Sequence, residues 1–233
     1  MTIGQFISQY GIWIIFIGIA ILSYGVQWLL KKRFEEYSAM PINLTGKEVA
    51  EKMLRDNGIY DVRVGSVQGQ LTDHYNPTDK TLNLSESVYG CRNVAAAAVA
   101  AHECGHAVQH AKGYAFLKMR SAMVPVVSFA SSWVQWVLLA GILLVNVFPS
   151  LLLIGIILFA ATTLFSIVTL PVEVNASSRA LSWLSSAGIT TSTTYPAARK
   201  ALSAAAYTYF VAAISSIGTL LYYLMIYMSR RDD

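Results

Sequence analysis

The stretch from Val94 to Ala111 reads VAAAAVAAHECGHAVQHA, and the fold turns on whether it crosses a bilayer or fills a soluble core. Its length and alanine content suit a span. It also carries Glu103 and three of the chain's four histidines, His102, His106 and His110, and ionisable side chains are costly in lipid. A helix apolar on nearly every face also suits the buried centre of a small domain, and the histidines favour that reading.

Residues four apart on a helix share a face. His102 and His106 of the H-E-x-x-H motif His102-Glu103-Cys104-Gly105-His106 therefore bring two imidazoles within reach of one metal ion. Zinc is the expected ion, a single one. It would leave one coordination position to a water that it acidifies, with Glu103 beside that water as general base. As ordinary core residues, His102, His106 and Glu103 would instead carry a desolvation cost on the order of several kcal/mol.

A catalytic zinc takes a third protein ligand. A histidine six residues after the second would fall at Lys112, which cannot serve. Three histidines down one straight helix cannot all reach one ion, so His110 is expected beside the site or at the surface. The best remaining carboxylate is Glu173. In Leu170-Pro171-Val172-Glu173-Val174-Asn175-Ala176-Ser177 it stands among mostly apolar neighbours and needs a partner. The plain alternative is a solvated carboxylate at a helix start.

Upstream of this helix the sequence reads as a small soluble insert. Thr45 and Glu48 form a capping box, and Val49, Ala50, Met53 and Leu54 share one helical face until Asn57 and Gly58 end it. Val62 and Val64, then Leu82 and Leu84, alternate with polar residues. Turns at Gln68-Gly69-Gln70 and Asn76-Pro77 complete about three strands. Asn93 is positioned to cap the alanine-rich helix. Helix, small sheet and a buried histidine helix follow the order in which zinc peptidases of the zincin type build their cleft.

The rest of the chain is apolar. Of 233 residues 55% are hydrophobic and 13% charged, with a mean hydropathy of +0.49, where soluble domains carry about a quarter charged. Four runs suit membrane spans: Gly11 to Leu30, Ala122 to Phe148, Ser150 to Leu170 and Ala204 to Met228. The first lacks the layout of a signal peptide and reads as a retained anchor. The fold class is mainly α: an integral membrane helical protein of about four spans with a small α+β zincin-like insert. Its expected parts are an anchor over 1–30, the insert over 31–121, a helical hairpin over 122–171, a third-ligand helix and loop over 172–203, and a last span over 204–233.

Of the 17 Lys and Arg residues, 12 lie between Lys31 and Arg120 and three between Pro171 and Leu202. The positive-inside rule then puts both long loops, and the site, on the cytoplasmic side. The net charge of +4 sits beside the apolar runs, which points to a lipid surface as partner and away from nucleic acid. Cys91 and Cys104 are too few for a disulfide framework and read as reduced structural thiols.

Leu71-Thr72-Asp73-His74-Tyr75-Asn76-Pro77, Leu84-Ser85, Ala100 through Gln109, Thr169 through Ser177 and Ala204 through Tyr209 together resemble the YugP-like membrane zinc metallopeptidases. The likeness spans nearly the whole chain. It implies a bacterial, multi-pass cell-membrane peptidase of the gluzincin type, with His102, His106 and Glu173 as metal ligands and Glu103 as catalytic acid/base. HtpX-like peptidases usually carry an aspartate four residues after the ligand glutamate, where this chain has Ser177. The family also leads one to expect an acidic residue around Thr191 to Tyr195, and none is there.

His74, on the strand leading into the cleft, is a candidate to steady an oxyanion, or equally to fix the sheet or the zinc surroundings. Asn175 and Arg179 read first as helix-surface or packing residues. The expected activity is hydrolysis of peptide bonds in membrane or unfolded proteins near the bilayer. A site-2-type intramembrane protease would need an aspartate in a later span, and those spans have none. A non-catalytic zinc scaffold would have no use for Glu103. A channel or transporter would want polar residues along the spans beyond scattered Ser, Thr and Gln.

Overall fold

The computed structural model describes the backbone of residues 3–231, with the side chains of Trp13 and of residues 16–229. The elements are α1 (Ile3–Ser38), α2 (Gly46–Asp56), β1 (Arg63–Val67), β2 (His74–Asn76), β3 (Thr81–Ser85), α3 (Glu86–Tyr89), α4 (Val94–Ala111), α5 (Ala115–Leu143), α6 (Pro149–Ser186) and α7 (Tyr195–Arg231). They form two compact units. One gathers Met1–Gly25, Met119–Leu170 and Thr208–Asp233; the other gathers Val26–Lys118 and Pro171–Tyr207.

The second unit holds the sheet, and α4 is its centre. Its alanines from Ala95 to Ala101 are almost all buried, as are Cys104, Ala107 and Val108. Small side chains all round let neighbours approach on every side. One continuous core joins them to Val49, Ala50, Met53 and Leu54 of α2, Leu82 and Leu84 of β3, Ala180 and Leu184 of α6, and Ala198 and Leu202 of α7. Burial, not a bilayer, accounts for the apolar run.

Local signals place the pieces. The Thr45–Glu48 capping box closes α2 at its start, and the Asn93 side chain accepts from Ala96 N–H at 2.8 Å to start α4. The sheet order is β1-β3-β2, with β1 parallel and β2 antiparallel to β3. Asp73 pins the start of the edge strand β2, its carboxylate accepting from Ser85 N–H at 2.7 Å and from the Ser85 hydroxyl at 3.0 Å.

The first unit is helical and apolar. Among the described residues, Ala115–Leu143, Pro149–Ser186 and Tyr195–Ser229 are long and apolar enough to cross a membrane. The expected anchor from Gly11 to Leu30 falls on α1, and the side chains of residues 11, 12, 14 and 15 lie outside those described. Leu138, Val145, Leu152 and Ile156 form a small core at the α5–α6 turn, while Phe129, Trp133, Trp136 and Ile157 stay exposed, as lipid-facing residues do. The Thr163 and Thr169 hydroxyls bond carbonyls four residues back, so they mark no polar pathway.

Helix ends differ from the sequence reading. Pro171 was expected to end one helix and precede another, yet α6 runs through it unbroken, as α5 does through Pro125. A proline removes one backbone bond, and membrane helices tolerate the loss where neighbours resupply it. The carbonyl left without a helix donor is that of Ile167; the Tyr114 hydroxyl donates instead to the Pro171 carbonyl at 3.4 Å and ties this turn of α6 to the segment after α4. Glu173 therefore sits in mid-helix, without a helix N-terminus to solvate it.

Candidate metal centre

α4 and α6 cross at Gly105. A Cβ there would stand 2.6 Å from the Ala176 carbonyl oxygen and 3.0 Å from its Cα, so the crossing is closer than any other residue permits. That approach brings Glu173, three residues before Ala176, against the histidine face of α4. Glu173 Oε2 lies 3.2 Å from His102 Nε2 and 3.5 Å from His106 Nε2. The three side chains offer ligand atoms that all lie within 4.8 Å of one another, and Glu173 is 3% exposed.

These distances fit a metal. Two ligands about 2.05 Å from a zinc ion at the tetrahedral angle stand about 3.3 Å apart. The imidazole tautomers fit as well, and His106 shows why through a relay. Arg179 Nε donates to Asn175 Oδ1 at 2.7 Å, which makes that oxygen an acceptor for Gln109 Nε2 at 3.0 Å. Gln109 Nε2 also donates to the Val172 carbonyl at 2.8 Å, so its Oε1 faces His106 Nδ1 at 3.1 Å and accepts a hydrogen bond from the Nδ1–H. The Nε2 lone pair of His106 is thereby left for a metal. His102 Nδ1 meets the Ser177 hydroxyl at 3.0 Å.

Electrostatics agree with the donor set. Burial alone would lower the pKa of His106, but the hydrogen bond and charge of Glu173, the charge of Glu103 and the bond to Gln109 together raise it. A buried anion pulls positive charge toward the imidazoles, and a divalent cation meets the same demand. The Cys104 thiol is pushed well up by burial, and its sulfur faces the Ala50 carbonyl at 3.4 Å on the other side of α4, away from the ligands.

Glu103 is 8% exposed, and its carboxylate accepts from the Tyr75 N–H of β2 at 3.1 Å. The Tyr75 hydroxyl reaches on to His110 Nδ1 at 2.8 Å, which takes His110 out of the ligand set and makes it a support for the edge strand. His74 does not join the three candidate ligands. Its Nδ1 is on the Thr72 carbonyl at 2.8 Å and its Nε2 meets Asn83 Nδ2 at 3.1 Å. Asn175 and Arg179, taken from sequence as packing residues, belong to the relay behind His106.

Sequence reasoning missed Gln109, Ser177, Tyr75 and Gly105. Gln109 carried a signal: it is a large polar residue inside an alanine helix, one turn after a ligand, and it is fully buried. Ser177 stands one turn after Glu173. The roles of Tyr75 and Gly105 arise only from contacts between elements distant in sequence.

No solved structure matches the chain. A family model described as "Putative neutral zinc metallopeptidase" matches residues 12–228, which includes every residue of the site. A relative from Bacillus subtilis (strain 168), named "Putative membrane protease YugP", is 44% identical over 223 residues, covering 94% of this chain and 98% of the relative. With likeness running through sheet, site and apolar helices alike, the chain belongs to that zinc metallopeptidase family.

Proposed function

We propose that the chain is a membrane zinc metalloendopeptidase in which His102, His106 and Glu173 hold one zinc ion and Glu103 is the general base. The supporting observation is the convergence of those three ligand atoms within 4.8 Å, on a helix whose next residue after His102 is a buried carboxylate. Zinc held there supplies Lewis acidity, easing ionisation of water and polarising a peptide carbonyl. Glu103 takes the proton of the attacking water and delivers it to the leaving amine nitrogen. The Tyr75 N–H steadies the carboxylate between the two transfers.

β2 is an edge strand, suited to hold an extended peptide beside Glu103. His74, with both ring nitrogens engaged, serves to fix β2 on β3 in this reading. The substrates are extended segments of membrane or unfolded proteins. The name of the Bacillus subtilis relative and the apolar helices support that choice. The distribution of basic residues in the loops supports a site on the cytoplasmic side. The test is cleavage of an unfolded protein by the zinc-loaded chain in detergent: Glu103→Gln should keep zinc and lose about 10²–10⁴ in rate. Equal rates would remove Glu103 from the chemistry.

A further inference from the structure

Between α6 and α7, within the sheet-bearing unit, lies an open groove of about 470 Å³, inside the range of about 300–1,000 Å³ typical of small-ligand sites. The helices are joined by residues 187–194, a short connection that makes them antiparallel neighbours. Arg199, Ser182 and Tyr195 line the end near this connection, and Val174, Ala206 and Tyr207 line the other. Arg199 and Ala206 are seven residues apart on α7, about 10 Å along the helix axis. Beyond Ala206, α7 continues as one of the apolar candidate spans.

Among the described residues that line the groove, Arg199 carries the one charge. Among the described residues its guanidinium forms no ion pair, and the hydroxyls of Ser178, Ser182, Ser203 and Tyr195 make no hydrogen bonds to it. Four hydroxyl groups and a cation with no carboxylate among them suit an anion rich in acceptor oxygens. A free anion would use only that end. The apolar end, on a helix that continues as a candidate span, suits an acyl chain, and tyrosine and arginine at such a level are typical of the lipid headgroup zone.

We propose that this groove binds one phospholipid, its phosphate on Arg199 and the neighbouring hydroxyls and its glycerol and upper acyl chain against Val174 and Ala206. Ser177 lines the groove midway, and its hydroxyl meets His102, so the lipid lies one side chain from the metal centre. The inference does not depend on the peptidase reading. Native mass spectrometry of the full chain released from phosphatidylglycerol nanodiscs tests it, with Arg199→Gln set against Lys200→Gln. The second change removes the same charge from the next residue, which does not line the groove. Wild type and Lys200→Gln should retain one lipid, and Arg199→Gln should retain it about ten- to a hundredfold less. Equal retention by both variants would overturn the proposal. So would displacement of the lipid by millimolar inorganic phosphate, which would assign the groove to a free anion.

Discussion

Replacing Gly105 by alanine tests whether the close crossing of α4 and α6 builds the site. The added Cβ would lie 2.6 Å from the Ala176 carbonyl oxygen. Ordinary contact begins near 3.4 Å, so the two backbones must separate by about 0.8 Å, and neither partner is a side chain that could turn aside. Overpacking of this kind costs about 1–3 kcal/mol, and the better helix propensity of alanine returns about 1 kcal/mol. The net loss of stability is therefore about 0–2 kcal/mol, and the protein should fold. Metal binding should suffer more, because a site tolerates ligand displacements of about 0.2 Å and Glu173 would move by several times that. Zinc affinity, measured by competition with a chromogenic chelator in detergent, should fall about a hundredfold, the upper end of what lost ligand support costs. Gly90, where a Cβ meets nothing within 4 Å, supplies the control: Gly90→Ala should bind zinc like wild type. Wild-type zinc affinity in Gly105→Ala would refute the reasoning.

Two further expectations concern the groups behind the ligands. Gln109→Ala removes the acceptor that fixes the His106 tautomer, and zinc affinity measured in the same competition should drop about 10–100-fold; an unchanged affinity would break the relay argument. The raised pKa of His106 makes pH act oppositely on the two forms. In metal-free protein, the charged His106 adds stability that is fully present below its ordinary value of 6.5 and is lost as pH rises through the raised folded value. Zinc must displace that proton, so zinc-loaded protein gains on the metal-free form as pH rises. Melting temperatures of chelator-treated and zinc-loaded protein between about pH 5.5 and 8 should therefore diverge, and parallel curves would contradict the assignment.

Much of the site was legible because its signals are local. The H-E-x-x-H spacing needs only helix geometry, the Thr45–Glu48 box and the Asn93 cap lie within one turn of the helices they start, and the lone carboxylate at Glu173 stands out against apolar neighbours. Pro171 misled because a proline's local cost argues for a helix end, whereas tertiary contacts decide whether the helix continues. The polar first turns of α5 and α7 were likewise left out of spans drawn at Ala122 and Ala204, since hydropathy marks the apolar part of a helix and not where its hydrogen bonding starts. The relay from Arg179 to His106 joins residues more than sixty positions apart, and the parallel pairing of β1 with β3 depends on the same kind of distant contact. No periodicity encodes such contacts.

The central claim is that His102, His106 and Glu173 hold zinc for hydrolysis driven by Glu103. The most direct measurement pairs zinc content with cleavage of an unfolded protein for wild type, Glu103→Gln and Glu173→Ala. The account predicts about one zinc and cleavage in wild type, zinc without cleavage in Glu103→Gln, and loss of both in Glu173→Ala. Full zinc content in Glu173→Ala, or undiminished cleavage by Glu103→Gln, would contradict it.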